Sequence, residues 1–153
     1  MKSRQVLQQS VWIDATVAVV DRCITDRELM HRWLNPLLRC DPVGEWNTEV
    51  GSESRFLIQI PLLQPSLKST VVERQVGLVV WEFDGFFVGR DRWECTPEDD
   101  GTRLVNTFTF EIPNPLVQFG FNTFAAGLTK ADMQAQLQRL KAVAEADSCE
   151  NSG

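Results

Sequence analysis

Asp91 and Asn106 are the two polar side chains whose positions give them a chemical role, because strand register puts both on a face otherwise made of large apolar residues. If Glu98-Asp99-Asp100-Gly101 forms a four-residue hairpin loop, Pro97 faces Thr102 and Cys95 pairs with Leu104. Trp93 then pairs with Asn106, Asp91 with Phe108 and Gly89 with Phe110. The opposite face carries Arg90, Arg92, Glu94, Arg103, Thr107, Thr109 and Glu111, the division that a sheet with one wet face needs. A carboxylate among Trp93, Phe108 and Phe110 loses hydration, which raises its pKa and suits it to grip or protonate a polar group of a ligand. The plainer alternative is an Asp91 near a sheet edge, salt-bridged or hydrated, with Asn106 a satisfied buried amide.

Other reactive side chains form no constellation. Cys23, Cys40, Cys95 and Cys149 share no CxxC spacing, and the only histidine, His31, is far in sequence from Cys95 and Cys149. No metal site and no cofactor are therefore expected, and in a reducing compartment such cysteines serve as small hydrophobes or idle thiols. The chain has no tyrosine, and no nucleophile stands beside a base. His31, on a helix, reads as a surface or satisfied polar residue ahead of any catalytic role.

The elements that must position Asp91 and Asn106 are strands closed by one long helical stretch, Asn114 to Asp147. Met133, Leu137, Leu140 and Ala144 recur there at helical spacing and form a stripe that needs a sheet to lie on. Val117, Phe121, Phe124 and Leu128 form a second stripe about half a turn out of phase. Gly127, and Thr129 with Asp132 as a capping-box variant, predict a kink or break near residues 127–129, with a continuous helix as the alternative.

At the other end, Gln8–Ala15 alternates as a half-buried strand. Two short helices follow, capped by Thr16 and Asp26, the second stopping before Pro36. Turn signals then delimit strands near residues 37–41, 52–60, 67–74, 78–83, 88–95 and 102–112, a seven-stranded antiparallel meander when the first strand is included. One register stays open. A two-residue Asp84-Gly85 turn sends Trp81 and Phe83 outward and builds an apolar patch suited to a homodimer contact. A three-residue Asp84-Gly85-Phe86 loop pairs Phe83 with Phe87 and Trp81 with Gly89, turning both inward. The second is preferred, since exposing a large ring forgoes roughly 1.5–3 kcal/mol.

Composition narrows the function classes. At 153 residues, 43% hydrophobic and 24% charged, the chain suits one domain over residues 1–147, with 148–153 a flexible tail. A net charge of −6 with no basic run argues against nucleic acid as a partner. No apolar run approaches the ~18–20 residues of a membrane span, and the polar start Met1-Lys2-Ser3-Arg4-Gln5 leads to a cytoplasmic expectation.

The order of elements and several local motifs resemble the START-like, or SRPBCC, superfamily. Ile13-Asp14-Ala15-Thr16 resembles its opening turn from strand to helix, although Thr16 stands where the family usually has proline. Asp26-Arg27-Glu28-Leu29 to Arg32-Trp33 resembles its second helix. Val50-Gly51, Asp100-Gly101-Thr102-Arg103-Leu104 and Leu137 to Glu145 match further points along nearly the whole chain.

The resemblance implies an α+β helix-grip fold, a curved seven-stranded antiparallel sheet around the C-terminal helix with an apolar cavity between them. It implies function only in outline, because members carry lipids, isoprenoid quinones, steroids or polyketides and a minority catalyse ring closure or dehydration. Three expectations follow. The first is a binding or transport protein holding a hydrophobic small molecule between Trp81, Phe83, Trp93, Phe108, Phe110, Phe121, Phe124 and Leu128, with Asp91 and Asn106 as polar anchors. The second is a polyketide cyclase or dehydratase using Asp91 as acid or base. The third is an interaction module with a vestigial cavity.

Overall fold

The computed structural model of the protein describes residues 4–36, 38–58, 66–85, 88–111 and 126–151. Strand β1 (Gln5–Ile13) leads into α1 (Val17–Thr25) and α2 (Arg27–Trp33). Six strands follow, β2 (Leu38–Pro42), β3 (Glu53–Ile58), β4 (Ser66–Gln75), β5 (Leu78–Gly85), β6 (Val88–Glu98) and β7 (Gly101–Glu111), and then helix α3 (Ala126–Asn151). The seven strands form one antiparallel sheet in the order β1-β7-β6-β5-β4-β3-β2. This is the expected helix-grip arrangement. No helix among the described residues is long and apolar enough to cross a membrane.

Local chemistry sets the helix starts. Thr16 accepts from the Val19 N–H at 3.3 Å and Asp26 from the Leu29 N–H at 3.0 Å, each satisfying a donor the first turn leaves free. Between them α1 and α2 bury Val20, Cys23, Ile24, Met30 and Trp33. The predicted stripe of α3 is the buried one: Met133, Leu137, Leu140 and Ala144 all lie in the interior.

Several expectations need correction. Strand β1 runs from Gln5 to Ile13, earlier than the 8–15 span, because the polar Gln5 and Gln9 are paired with Phe110 and Asn106 as firmly as Leu7 is with Phe108. Helix α3 is described from Ala126 and includes residues 127–129, so Thr129 does not cap it, and residues 112–125 before it lie outside the described residues. The same helix runs on to Asn151, past the expected end at Asp147. The β6–β7 turn has two residues, Asp99 (φ 48°) and Asp100 (φ 62°), both left-handed, a conformation aspartate tolerates and a two-residue hairpin requires. Glu98 and Gly101 thereby join the ladder, and every other predicted β6–β7 pair is present.

The β5–β6 register differs by two residues from the preferred one. Phe83 pairs with Gly89, and Trp81 with Asp91. The expected facing is unchanged by an even shift, so Phe83 and Trp81 point inward and are buried, and the outward apolar patch does not form. Phe86 and Phe87 lie outside the described residues.

Candidate functional site

The inner face is a lattice of cross-strand neighbours. Trp81 on β5, Asp91 on β6, Phe108 on β7 and Leu7 on β1 lie in one row, and Trp93, Asn106 and Gln9 occupy the next. Phe83, Gly89, Phe110 and Gln5 form the row on the other side of Asp91. Asp91 is on a central strand with two strands or more to either side, not near an edge.

Its carboxylate is half-buried and accepts two neutral donors. Trp93 Nε1–H reaches Oδ2 at 2.9 Å, and Asn106 Nδ2 reaches Oδ1 at 2.6 Å. Asn106 is 3% exposed and also donates to the Arg92 carbonyl at 3.1 Å, so its amide is satisfied and serves as an anchor for Asp91. No cation forms an ion pair with Asp91 among the described residues, which removes the salt-bridge alternative there. Burial pushes the carboxyl up to about 6, and the hydrogen bonds from Asn106 and Trp93 only partly oppose it.

Aromatic rings surround this anchor. Phe108 stacks on Phe110 with centroids 4.8 Å apart and meets Phe83 edge-on at 6.3 Å. Phe56 extends the cluster, meeting Phe83 edge-on at 5.5 Å. Trp33, from the end of α2, packs tilted against Trp93 at 5.2 Å while its own Nε1–H is held by the Cys23 carbonyl at 2.8 Å. Phe56 and Trp33 were missing from the sequence-based set. The register of β3 could have supplied Phe56, but the approach of α2 to β6 has no local signal in sequence.

Of the ten residues expected at the site, Trp81, Phe83, Asp91, Trp93, Asn106, Phe108 and Phe110 share this face. Phe121, Phe124 and the side chain of Leu128 lie outside the described residues.

His31 is elsewhere. Its Nδ1 is 2.9 Å from the Arg27 carbonyl and its Nε2 accepts the Cys40 N–H at 3.1 Å, while Arg27 Nε donates to the Cys40 carbonyl at 2.8 Å. Edge strand β2 thus has the free backbone groups of Cys40 covered by α2, a structural use of the histidine. Cys23, Cys40 and Cys95 have thiols pushed up to about 11, 11 and 12, burial being the largest cause in each, so they are poor nucleophiles. No group of metal-ligating side chains occurs among the described residues. A separate concavity of about 550 Å³ is lined mainly by the outward-facing Arg4, Glu82, Val88, Arg90, Thr109 and Glu111, across the sheet from Asp91.

Comparison with known proteins matches residues 4–145 to the family described as polyketide cyclase/dehydrase and lipid transport. No match is found among curated proteins. Among solved structures, TTHA0849 from Thermus thermophilus is similar at a TM-score of 0.76 and 19% identity, over 94% of this chain and 99% of that one. The KanY protein is similar at 0.73 and 18%, with the same coverages of 94% and 99%. Ara h 8.0201 follows at 0.68 and 10%, again over 94% and 99%. At these identities the likeness concerns the fold.

Proposed function

Because the chain belongs to the polyketide cyclase/dehydrase and lipid transport family, of START-like (SRPBCC) type, we propose that it binds a hydrophobic small molecule against the inner face of the sheet. The single observation that carries this reading is the Asp91–Trp93–Asn106 cluster, a polar anchor at the centre of an otherwise aromatic face. Apolar walls with one or two fixed polar groups are what such sites need for affinity and orientation. A packed core would gain nothing from a half-buried carboxylate without a countercharge. On this reading the protein carries or sequesters a lipid, an isoprenoid quinone or a polyketide-like molecule, with Phe121, Phe124 and Leu128 completing the wall from the helical side.

The test is tryptophan fluorescence with probe displacement across fatty acids, quinones, sterols and polyketide-like aromatics. Saturable quenching by one class, abolished in Phe108→Arg, is the expected result. Cooperative folding without binding of any class would overturn the reading.

A second reading is favoured by one specific feature: a carboxyl pushed up to about 6 is matched to proton transfer near neutral pH. In a cyclase or dehydratase, Asp91 would take a proton from carbon beside a carbonyl or deliver one to a leaving hydroxyl, with Trp93 and Asn106 orienting it. Asp91→Asn leaving turnover of a demonstrated substrate unchanged would dismiss this role.

A further inference from the structure

Among the described residues Asp91 is a carboxylate without a countercharge. Of the chain's fifteen lysines and arginines only Lys2 lies outside the described residues, and none of the rest pairs with Asp91. Segments 59–65, 86–87 and 112–125 contain neither residue type. Arg90 and Arg92, its sequence neighbours, alternate to the other face, where they pair with Glu82, Glu73 and Glu94. Each Asp91 oxygen accepts one neutral N–H, which leaves acceptor capacity on both.

The surroundings add to this imbalance. The direct cross-strand neighbours of Asp91 are Trp81 and Phe108, and Trp93 follows on its own strand. Their ring faces carry negative potential. The preceding inward position is Gly89, which adds no charged group beside the carboxylate. A fatty carboxylate brought here would set two anions together. A neutral alcohol could occupy a lone pair but would leave the charge unmatched.

We propose that the ligand held on this face bears a protonated amine on an apolar body, paired with the Asp91 carboxylate and bounded by the rings of Trp81, Trp93 and Phe108. The proposal rests on the reading of this face as a ligand site and narrows it to one chemical class, organic cations.

The test is calorimetric titration of the full chain near neutral pH, at physiological salt, with phenylbutylamine, phenylbutanol and phenylbutyrate, three probes that differ only at the head. The amine should bind about tenfold tighter than the alcohol, with the carboxylate weakest. Asp91→Asn, close in shape, should erase the amine's advantage over the alcohol, and in the parent the amine should shift the indole N–H resonance of Trp93. Equal binding of amine and alcohol would overturn the amine assignment alone. So would an amine advantage that persists in Asp91→Asn, which would reflect attraction to the acidic surface. Binding by none of the three would overturn the ligand site itself and this inference with it.

Discussion

Asn106 donates from β7 to Asp91 on β6 across 2.6 Å, one of two neutral hydrogen bonds that hold the carboxylate. This bond favours the charged form of Asp91, against the larger effect of burial. Asn106→Ala should therefore move the Asp91 titration above about 6, observed in carbon-detected NMR of the side-chain carboxyl. Stability should fall by roughly 1–3 kcal/mol, since Asp91 loses one of its two donors and the Arg92 carbonyl loses the side-chain donor it has beside the strand ladder. A titration at or below the parent value would mean that the bond does not stabilise the carboxylate.

The same carboxyl links stability to pH in a direction opposite to most acids. Its folded pKa of about 6 exceeds the ordinary 3.8, so between those values the folded state holds a proton the unfolded chain has lost. Stability from this group is greatest below about 3.8, declines as pH rises to about 6 and stays reduced above it. At about 1.4 kcal/mol per pH unit the ceiling is on the order of 3 kcal/mol, and partial exposure of Asp91 brings the expected effect to about 2 kcal/mol. The unfolding free energy of Asp91→Asn minus that of the parent should thus increase by this amount from pH 4 to pH 7. Hydrogen-bond changes that do not depend on pH cancel in that difference, and a flat difference would contradict the shift.

Gly89 fixes the approach of β6 to β7 beside the site. A Cβ there would lie 2.1 Å from the Thr109 carbonyl oxygen and 2.8 Å from Phe110 Cα, both backbone atoms that cannot rotate away. Gly44 is a fair comparison, with φ +84° and nothing within 4 Å of an added Cβ. Gly44→Ala should cost about 1–2 kcal/mol, the strain of a left-handed residue. Gly89→Ala should cost more than Gly44→Ala by several kcal/mol in chemical denaturation, or abolish folding. Equal losses would show that β6 and β7 separate easily.

These residues also mark where sequence was legible. The β6–β7 pairing could be derived because charged and apolar positions alternate cleanly from Val88 to Glu111, and the turn needed only an even number of residues. That derivation put Asp91 and Asn106 on the inner face. The β5–β6 register was harder, because Phe86 and Phe87 lack a turn residue that would fix loop length, and facing alone survives a shift of two. The capping signals at Thr16 and Asp26 act within three residues and were legible. Thr129 with Asp132 imitated a helix cap although residues 126–128 are already helical, because a short capping pattern is a weak signal on its own. Trp33 against Trp93, and His31 over Cys40, depend on how α2 crosses the sheet and have no nearby signal.

Asp21 and Arg74, fifty-three positions apart, make a tie that no local motif announces. Asp21 is 8% exposed and takes Arg74 Nη1 at 2.7 Å and Nη2 at 2.8 Å, with the Gly77 N–H at 2.9 Å as a third donor. Arg74 also reaches Thr48 Oγ1 at 3.3 Å, and its guanidinium is held charged chiefly by the Asp21 bond. One carboxylate therefore joins α1 to the β4–β5 turn, and its removal leaves the Arg74 guanidinium without its countercharge and the Gly77 N–H without this acceptor. Asp21→Ala should cost about 3–5 kcal/mol in chemical denaturation. Much of that is the penalty of the orphaned arginine, so the pair replacement Asp21→Leu with Arg74→Met should recover more than half of it. A single-variant loss below about 1 kcal/mol would place the pair with ordinary surface ion pairs. A double variant no better than the single one would assign the cost to Gly77 and the turn, leaving the guanidinium a minor contributor.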